Sequence, residues 1–273
     1  MSVLLADPMF WFGLALKIVI TVGITIVASV MVERSGPFIG ALIASLPTAG
    51  GAALIILAME HTPAFIAQGM IGSMVSDAVC AVYAITFAAL AQRHGLVISL
   101  GGAMAVWLAA ALGSRLIDWS ANMALLLNAV VFPLTIYAAR HFLGVGQIKP
   151  RVQLTARDFA WRAGVVTLCV LIVTGLSTSI GSYFSGVFAF FPVAMSSFFI
   201  ILHTRLGGQA AASVAAHVQA PLIGMCLGLY AVHHLAENIG VWWSYGVGLV
   251  ICLAWNGGLW LWRRQRAASS VAA

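Results

Sequence analysis

Asp77 is the one acidic residue of this chain that stands in the middle of a long apolar run, MIGSMVSDAVCAVYA, whereas the other six lie near the ends of such runs. His217 is placed in the same way within ASVAAHVQAPLIG. A carboxylate and an imidazole in apolar surroundings can bind and release a proton, or hold a polar ligand. We therefore predict that Asp77 and His217 take part in proton coupling or in substrate binding.

Each of these two residues also has a structural interpretation. Asp77 would then form a hydrogen bond or an ion pair, with Lys17 as the candidate partner. His217 would stay neutral and bond to a backbone carbonyl, which is a common arrangement for a buried imidazole. An ionised carboxylate at the bilayer centre costs at least about 2.5 kcal/mol, and this cost favours a functional role for Asp77.

Two prolines, Pro47 in IASLPTAGGAALIIL and Pro192 in FAFFPVAMSSFFIIL, interrupt apolar runs near their centres. A proline frees a backbone carbonyl, which lipid tolerates only where protein or a water-filled cavity covers it. We therefore predict two broken helices that flank a central substrate or ion site. Ordinary kinks with close packing of small residues are the alternative. The small or polar residues that follow the two prolines and belong to this predicted site are Thr48, Gly50, Gly51, Ser196 and Ser197.

Four further residues with polar or basic side chains lie within the runs. Asn128 and Gln219 are candidates to line the same cavity, because amide side chains in membrane helices bond across to neighbouring helices. Lys17 and Arg162 stand near the starts of their runs, so we expect their long side chains to reach the lipid headgroups. A role in gating or in binding an anionic substrate is the alternative for these two. The sequence predicts no metal site and no cofactor.

The composition places these residues in a membrane protein. The chain is 62% hydrophobic and 7% charged, with a mean hydropathy of +1.05, against roughly 45–50% apolar and 25% charged residues in soluble domains. The four cysteines lie in apolar runs without CxxC spacing, which indicates neither metal binding nor redox chemistry. Walker, HExxH and GxSxG motifs are absent from the sequence, and we therefore predict that the chain is not an enzyme.

The apolar runs predict an all-α fold, a polytopic bundle of nine transmembrane helices, with a tenth left open. Several runs reach the roughly 20 residues that cross a ~30 Å hydrocarbon core. The expected spans are 9–32, 37–59, 64–92, 96–117, 121–143, 161–180, 183–203, 207–235 and 240–262.

The basic residues predict the orientation of these spans. If the C-terminus lies inside, eleven Lys and Arg residues fall in inside segments and only Arg115 falls outside. Short loops rich in Lys and Arg stay on the cytoplasmic side. We therefore expect an integral protein of the bacterial inner (plasma) membrane, with its N-terminus outside and its C-terminus in the cytoplasm. The net charge of +6 reflects this orientation, and we expect no nucleic-acid partner.

Two parts of the sequence match at a constant spacing of 145 residues. Pro47 then corresponds to Pro192, and Lys17 to Arg162. Because five spans precede the second part, it would enter the membrane from the opposite side, as in the inverted repeats of secondary transporters. The predicted organisation is a first repeat of five helices at 1–143, a basic cytoplasmic linker at 144–160, a second repeat of four helices at 161–266 and a disordered tail at 267–273.

The second half resembles a known kind of small membrane protein. From WRAGVV to the final tryptophans it carries an early basic residue, an FPV segment after small and apolar residues, and a basic loop after that segment. In these motifs it is similar to the four-helix proteins of the GlpM and DUF3147 type. The first half, with GALIASLPTAGGA, resembles a diverged copy that carries an added helix. Opposed halves of four or five helices are also similar to those of the drug/metabolite transporter superfamily.

These observations predict a secondary transporter or exporter of a small metabolite or cation, proton-coupled through Asp77. The inverted repeat with broken helices favours this class. Two alternatives stay open: a passive channel for a small solute or ion, and a non-transporting subunit for membrane assembly or lipid handling. The expected partners are the lipid bilayer and a small-molecule or ion substrate, and a homodimer is left open.

Overall fold

A computed structural model describes residues 8–34, 48–143 and 155–271, without the side chains of 8–11, 28–34, 48–49, 263 and 266–271. Of the described residues, 92% lie in helices and none lies in a strand, which confirms the all-α class. Pro47 lies outside the described residues, and so does the side chain of Thr48.

The described chain forms ten helices, numbered here in chain order. The first five are α1 (Pro8–Arg34), α2 (Thr48–Glu60), α3 (Pro63–Ala91), α4 (Leu96–Gly113), which continues as a short 3₁₀ turn (Ser114–Leu116), and α5 (Ala121–Leu143). The second five are α6 (Ala156–Ala189), α7 (Val193–Leu206), α8 (Gly208–His217), α9 (Gln219–Ile239) and α10 (Val241–Val271).

Six stretches of the described chain are long and apolar enough to cross a membrane. Two shorter apolar helical stretches, Phe12–Val27 and Gly50–Glu60, accompany them. The fold is therefore compatible with an integral membrane protein. The six stretches are Pro63–Ala91, Leu96–Leu116, Ala121–Leu143, Ala156–Leu206, Gly208–Ile239 and Val241–Trp262.

The helix α3 occupies the centre of the bundle. It begins at Pro63 after the N-cap residue Thr62, whose hydroxyl accepts a hydrogen bond from the Phe65 N–H at 3.3 Å. Twenty of its 29 residues are buried, and it packs against α4, α5, α6, α8 and α9. A helix that is buried all round needs apolar or small residues on every face, which explains the absence of an amphipathic pattern in this segment.

The 51-residue stretch Ala156–Leu206 is not straight. At Gly181 the backbone takes a φ of +78°, which favours glycine because it has no Cβ. The Ser185 hydroxyl then donates to the Ser177 carbonyl at 3.4 Å, although eight residues of continuous helix would separate the two residues by about 12 Å. The chain therefore folds back at Gly181, between the predicted spans 161–180 and 183–203.

The returning part of α6 crosses α3 at backbone distance. A Cβ atom built on Gly186 would lie 1.8 Å from the Gly69 carbonyl oxygen, and one built on Gly72 would lie 2.0 Å from the Tyr183 carbonyl oxygen. The Ser73 hydroxyl donates across this crossing to the Gly186 carbonyl at 3.1 Å. Glycines at the crossing let the two backbones approach, as small residues do between membrane helices.

Two element boundaries differ from the predicted domain limits. The helix α6 begins at Ala156, inside the predicted linker 144–160, because Thr155 and Asp158 form a capping box that starts it early. The helix α10 continues to Val271, so residues 267–271 are helical where the sequence predicts a disordered tail. Residues 263–268 are Arg, Gln and Ala, strong helix formers that carry the helix past position 266.

Candidate functional site

The Asp77 side chain lies in the middle of α3 and is 1% exposed. Among the residues that the structure describes, no hydrogen-bond donor reaches either of its carboxylate oxygens. Lys17, the candidate partner in the structural interpretation, instead forms an ion pair with Glu60 at 2.6 Å. A buried carboxylate without a partner is strongly unfavourable, so Asp77 needs a proton, a cation or a polar ligand in this position.

One face of α3 contacts the interrupted chain between α6 and α7. The Cys80 thiol lies 3.3 Å from the Phe190 carbonyl, and the Ser76 hydroxyl reaches the same oxygen at 3.5 Å. One turn further on, the Tyr83 hydroxyl bonds to the Ser196 hydroxyl at 2.7 Å. These side chains cover backbone groups that the break leaves outside a regular helix.

The break itself is centred on Pro192. The helix α6 ends at Ala189 and α7 begins at Val193, with Pro192 as its N-cap residue. The Ser196 hydroxyl donates to the Pro192 carbonyl at 2.6 Å, and the Ser197 hydroxyl donates to the Ala194 carbonyl at 2.9 Å. Both predicted serines are therefore buried at the break, where they satisfy local backbone carbonyls.

The start of α2 packs against the same break. A Cβ atom on Gly50 would lie 3.2 Å from the Ala189 carbonyl oxygen and 3.4 Å from the ring of Phe190. The structure thus brings Gly50 to the Pro192 break. The neighbouring glycine, Gly51, instead lines an apolar cavity on the other side of α2.

Asn128 on α5 contacts α3 about one turn before Asp77. Its amide nitrogen donates to the carbonyl of Met74, three residues before Asp77, at 2.9 Å and to that of Ala124 at 2.8 Å, while its side-chain oxygen has no partner among the described residues. Carbonyls of a helix point toward its C-terminus and side chains lean toward its N-terminus. The Met74 carbonyl therefore lies on the Asp77 side of the helix, and Asn128 adds another unpaired acceptor oxygen there.

Gln219 at the start of α9 contacts α3 further along. Its amide nitrogen donates to the Ala81 carbonyl at 3.3 Å, and its side-chain oxygen has no partner in the described part of the chain. At 3.6 residues per turn, Asp77 lies between the face of α3 that meets the break and the face that meets Asn128 and Gln219. The Asp77 side chain thus points between the two faces.

His217 lies at the junction between α8 and α9. Pro221 has no N–H, so it cannot donate to the carbonyl four residues earlier, and the helix is interrupted at Val218. The His217 imidazole bonds through Nδ1 to the Ser213 carbonyl at 2.7 Å. It donates no hydrogen bond to the Asp77 carboxylate, so the two predicted coupling residues are not hydrogen-bonded to each other.

A cavity of about 320 Å³ opens between α1, α2, α9 and α10, and its lining is apolar. The predicted cavity is polar and lies at the breaks, whereas this one is apolar and Asp77 is not among its lining residues. Residues that represent its four walls are Ile24, Gly51, Leu54, Met225, Tyr245 and Cys252.

The burial of Arg162 contradicts the expectation that its side chain reaches the lipid headgroups. Lys17 forms an ion pair, and Arg162 is only 4% exposed. Arg162 is buried where α7 packs on its helix, with the ring of Phe198 near its guanidinium. Sequence reasoning also missed the face of α3 formed by Ser73, Ser76, Cys80 and Tyr83, which the helical spacing of these residues around Asp77 could have revealed.

In the described residues, no three His, Cys, Asp or Glu side chains lie close enough together to hold a metal ion. No protein-family model, curated protein or solved structure matches this chain. The similarity to the GlpM and DUF3147 type and to the drug/metabolite transporter superfamily therefore stays a prediction.

Proposed function

We propose that this chain is a secondary transporter or exporter of a small metabolite or cation, with Asp77 as the proton-coupling residue. The observation that carries the proposal is the carboxylate of Asp77, buried at mid-helix without a partner among the described residues. It stands beside a broken helix, and broken helices at mid-membrane form the sites of many transporters. In this reading the polar groups at the break bind substrate and Asp77 carries the proton.

The proposed architecture has nine crossings, because the fold-back at Gly181 divides the stretch Ala156–Leu206 into two. Contacts on α6 support opposed orientations of the repeats. His61, next to Glu60, bonds to Ser177 at 2.8 Å, whereas Arg205 bonds to Asp158. Glu60 and Arg205 correspond at the spacing of 145 residues, yet they lie at positions of α6 about 28 Å apart.

The proposed cycle follows from the cost of an unpaired charge. Asp77 would be protonated while it is sealed inside the bundle, since the neutral acid avoids that cost and can donate a hydrogen bond. The unpaired oxygen of Asn128 is an acceptor on the same side of α3. Opening toward one side of the membrane would hydrate Asp77, release its proton and create charge for a cationic or polar substrate.

Chemical labelling of Asp77 tests the proton site before any substrate is identified. Dicyclohexylcarbodiimide modifies protonated carboxyl groups in apolar surroundings, and mass spectrometry locates the adduct. We expect labelling of Asp77 in the reconstituted full chain, with a yield that falls as pH rises because only the protonated acid reacts. The matched control is Asp118→Asn, which removes an exposed acid outside the helices and leaves the labelling unchanged.

Transport is then tested in proteoliposomes with an imposed pH gradient. The probes are tetraphenylphosphonium as a lipophilic cation, alanine as a small zwitterion and succinate as a small anion. Asp77→Asn should abolish gradient-driven movement of the transported probe, while Asp118→Asn retains it. An unlabelled Asp77 at every pH, or full gradient-driven transport by Asp77→Asn, would exclude the coupling role.

The apolar cavity favours lipid handling as a second candidate function. Its volume of about 320 Å³ and its apolar walls fit part of an acyl chain better than a polar metabolite. Parinaric acid, a fluorescent fatty acid, should then bind the purified protein. Ile55→Trp, which fills the cavity, should reduce this binding, and equal binding by both proteins would remove the candidate.

A further inference from the structure

Arg162, on the second turn of α6, is a buried cation that the proposed cycle does not use. It is 4% exposed, and its Nε and Nη1 atoms have no hydrogen-bond partner among the described residues. A guanidinium stays protonated in proteins and only donates hydrogen bonds. A buried charge of this kind is tolerated when a counter-charge and acceptor oxygens accompany it.

The acids of the described chain do not supply that counter-charge. Asp158 lies four residues before Arg162 on the same helix, a spacing at which an acid and an arginine normally pair. Its carboxylate instead accepts hydrogen bonds from the Thr155 N–H and hydroxyl, both at 2.7 Å, and pairs with Arg205. The other acids with described side chains are Glu60, which pairs with Lys17, together with Asp77, Asp118 and Glu237.

The contact that Arg162 does make is with an aromatic ring. Its Cζ atom lies 5.7 Å from the centroid of Phe198 on α7. An aromatic face attracts a cation and offsets part of its desolvation, but it brings no net charge and no acceptor for the unpaired nitrogens. Phe198 therefore offsets only part of the cost of burying this charge.

The corresponding positions of the first half carry a lysine together with an acidic partner. The spacing that relates Lys17 to Arg162 also relates Glu60 to Arg205. Lys17 is neutralised by Glu60 at 2.6 Å, whereas the second half has an arginine where that acid would stand. The region where α6 begins and α7 ends thus holds three arginines, Arg157, Arg162 and Arg205, and one described carboxylate, that of Asp158.

We propose that Arg162 is the receptor of a ligand oxyanion, a carboxylate or a phosphate, at the end of the bundle where α6 begins and α7 ends. The guanidinium offers donors of the kind that bind these groups, and the ring of Phe198 lies 5.7 Å from its Cζ atom. The oxyanion comes either from a phospholipid headgroup or from a free solute. This site is independent of Asp77, and its occupation is measured without a gradient.

The experiment measures anion binding by the full-length protein in lipid nanodiscs. One arm titrates inorganic phosphate and succinate into phosphatidylcholine nanodiscs by calorimetry. The other arm uses native mass spectrometry to count phosphatidylglycerol retained from mixed phosphatidylcholine and phosphatidylglycerol membranes. Saturable binding in the first arm identifies a free solute, and retained phosphatidylglycerol that excess phosphate does not displace identifies a lipid headgroup.

Variants assign the binding to Arg162. Arg162→Gln should weaken it about tenfold to a hundredfold, the loss expected for a charge-assisted hydrogen bond. Arg157→Gln is the matched control, because it removes an exposed charge from the same helix end. Arg162→Lys keeps the charge but not the planar donors, so it should bind with intermediate affinity and serves if the glutamine variant does not fold.

Three results would overturn the proposal. The first is that the wild-type protein binds no anion in either arm. The second is that Arg157→Gln weakens anion binding as much as Arg162→Gln does. The third is that Arg162→Gln binds the anion with wild-type affinity, or that Arg162→Lys does so where only that variant folds. Asp77→Asn should bind the anion as the wild type does. Anion binding by Asp77→Asn therefore tests this site, and gradient-driven transport by the same variant tests the proposed transport cycle. The two proposals can thus fail separately.

Discussion

Positions 17 and 60 of the first half correspond, at the spacing of 145 residues, to positions 162 and 205 of the second. In the first half a lysine and a glutamate occupy them and form an ion pair that is partly open to solvent. In the second half both are arginines, of which Arg205 pairs with Asp158 while Arg162 is buried over Phe198. The same two positions thus give a neutral pair in one half and an excess positive charge in the other.

A second difference runs in the opposite direction. Asp77 corresponds to Leu222 at the same spacing, and both side chains are buried. The first half therefore holds the buried acid and the second half the buried cation.

The largest expected effect tests the close crossing of α6 and α3 at Gly186. Gly186 corresponds to Ala41, which lies outside the described residues. Gly186→Ala should destabilise the protein by about 3 kcal/mol or prevent folding, because its Cβ would overlap the Gly69 carbonyl oxygen. Thermal unfolding of the purified protein measures this. Gly175→Ala, on the same helix with open space around it, is the control, and equal stability of the two variants would contradict the close crossing.

The next effect comes from restoring the missing acid. Arg205→Glu places a carboxylate where the first half has Glu60, and we expect it to neutralise Arg162. Binding of phosphate, succinate or phosphatidylglycerol should fall about tenfold or more, since the internal carboxylate competes for the guanidinium. Arg205→Gln removes the arginine without supplying an acid and should bind more tightly than Arg205→Glu. The reverse order would show that Arg162 and position 205 do not form one charge cluster.

A smaller effect comes from removing the acid of the first half. Glu60→Gln leaves Lys17 unpaired, but both side chains are partly exposed, at 21% and 37%. Pairs in such surroundings contribute about 1 kcal/mol or less, and the free energy of unfolding should decrease by no more than that. Glu237→Gln, which changes an exposed acid on α9, is the control. A loss above about 2 kcal/mol would mean that Lys17 behaves as a buried charge and that the two halves differ less than proposed.

The smallest effect concerns pH. His61 stacks on Phe65 and bonds to Ser177, and burial lowers its pKa from the ordinary value of 6.5, with Glu60 raising it and Lys17 lowering it by smaller amounts. The folded protein therefore binds fewer protons at His61 than the unfolded chain does. This contribution to stability is fully present above pH 6.5 and is lost as the pH falls toward the lowered pKa.

Thermal unfolding at pH 7 and at pH 5 measures the contribution of His61. The wild-type protein should lose slightly more stability between these values than His61→Gln, which does not titrate. The corresponding residue of the second half is Leu206, so this sensitivity belongs to the first half alone. An equal loss in both proteins would assign the pH dependence to other groups.

The sequence by itself determined those features that depend on short stretches of chain. Mean hydropathy and run length determine that the helices suit a membrane, because every backbone group in lipid must be satisfied within a helix. Pro192 predicted the interruption between α6 and α7, since proline has no N–H to donate. The position of Asp77 in an apolar run likewise predicted its burial.

Only the tertiary structure decided which groups meet. Lys17 forms an ion pair with Glu60, whereas Arg162 contacts the ring of Phe198. The local sequence around the two residues does not predict this difference. The contacts of Cys80 with Phe190 and of Asn128 with Met74 also join segments far apart in the chain. Such pairings depend on how the helices pack and on which partner is already occupied, and neither property belongs to any single stretch of sequence.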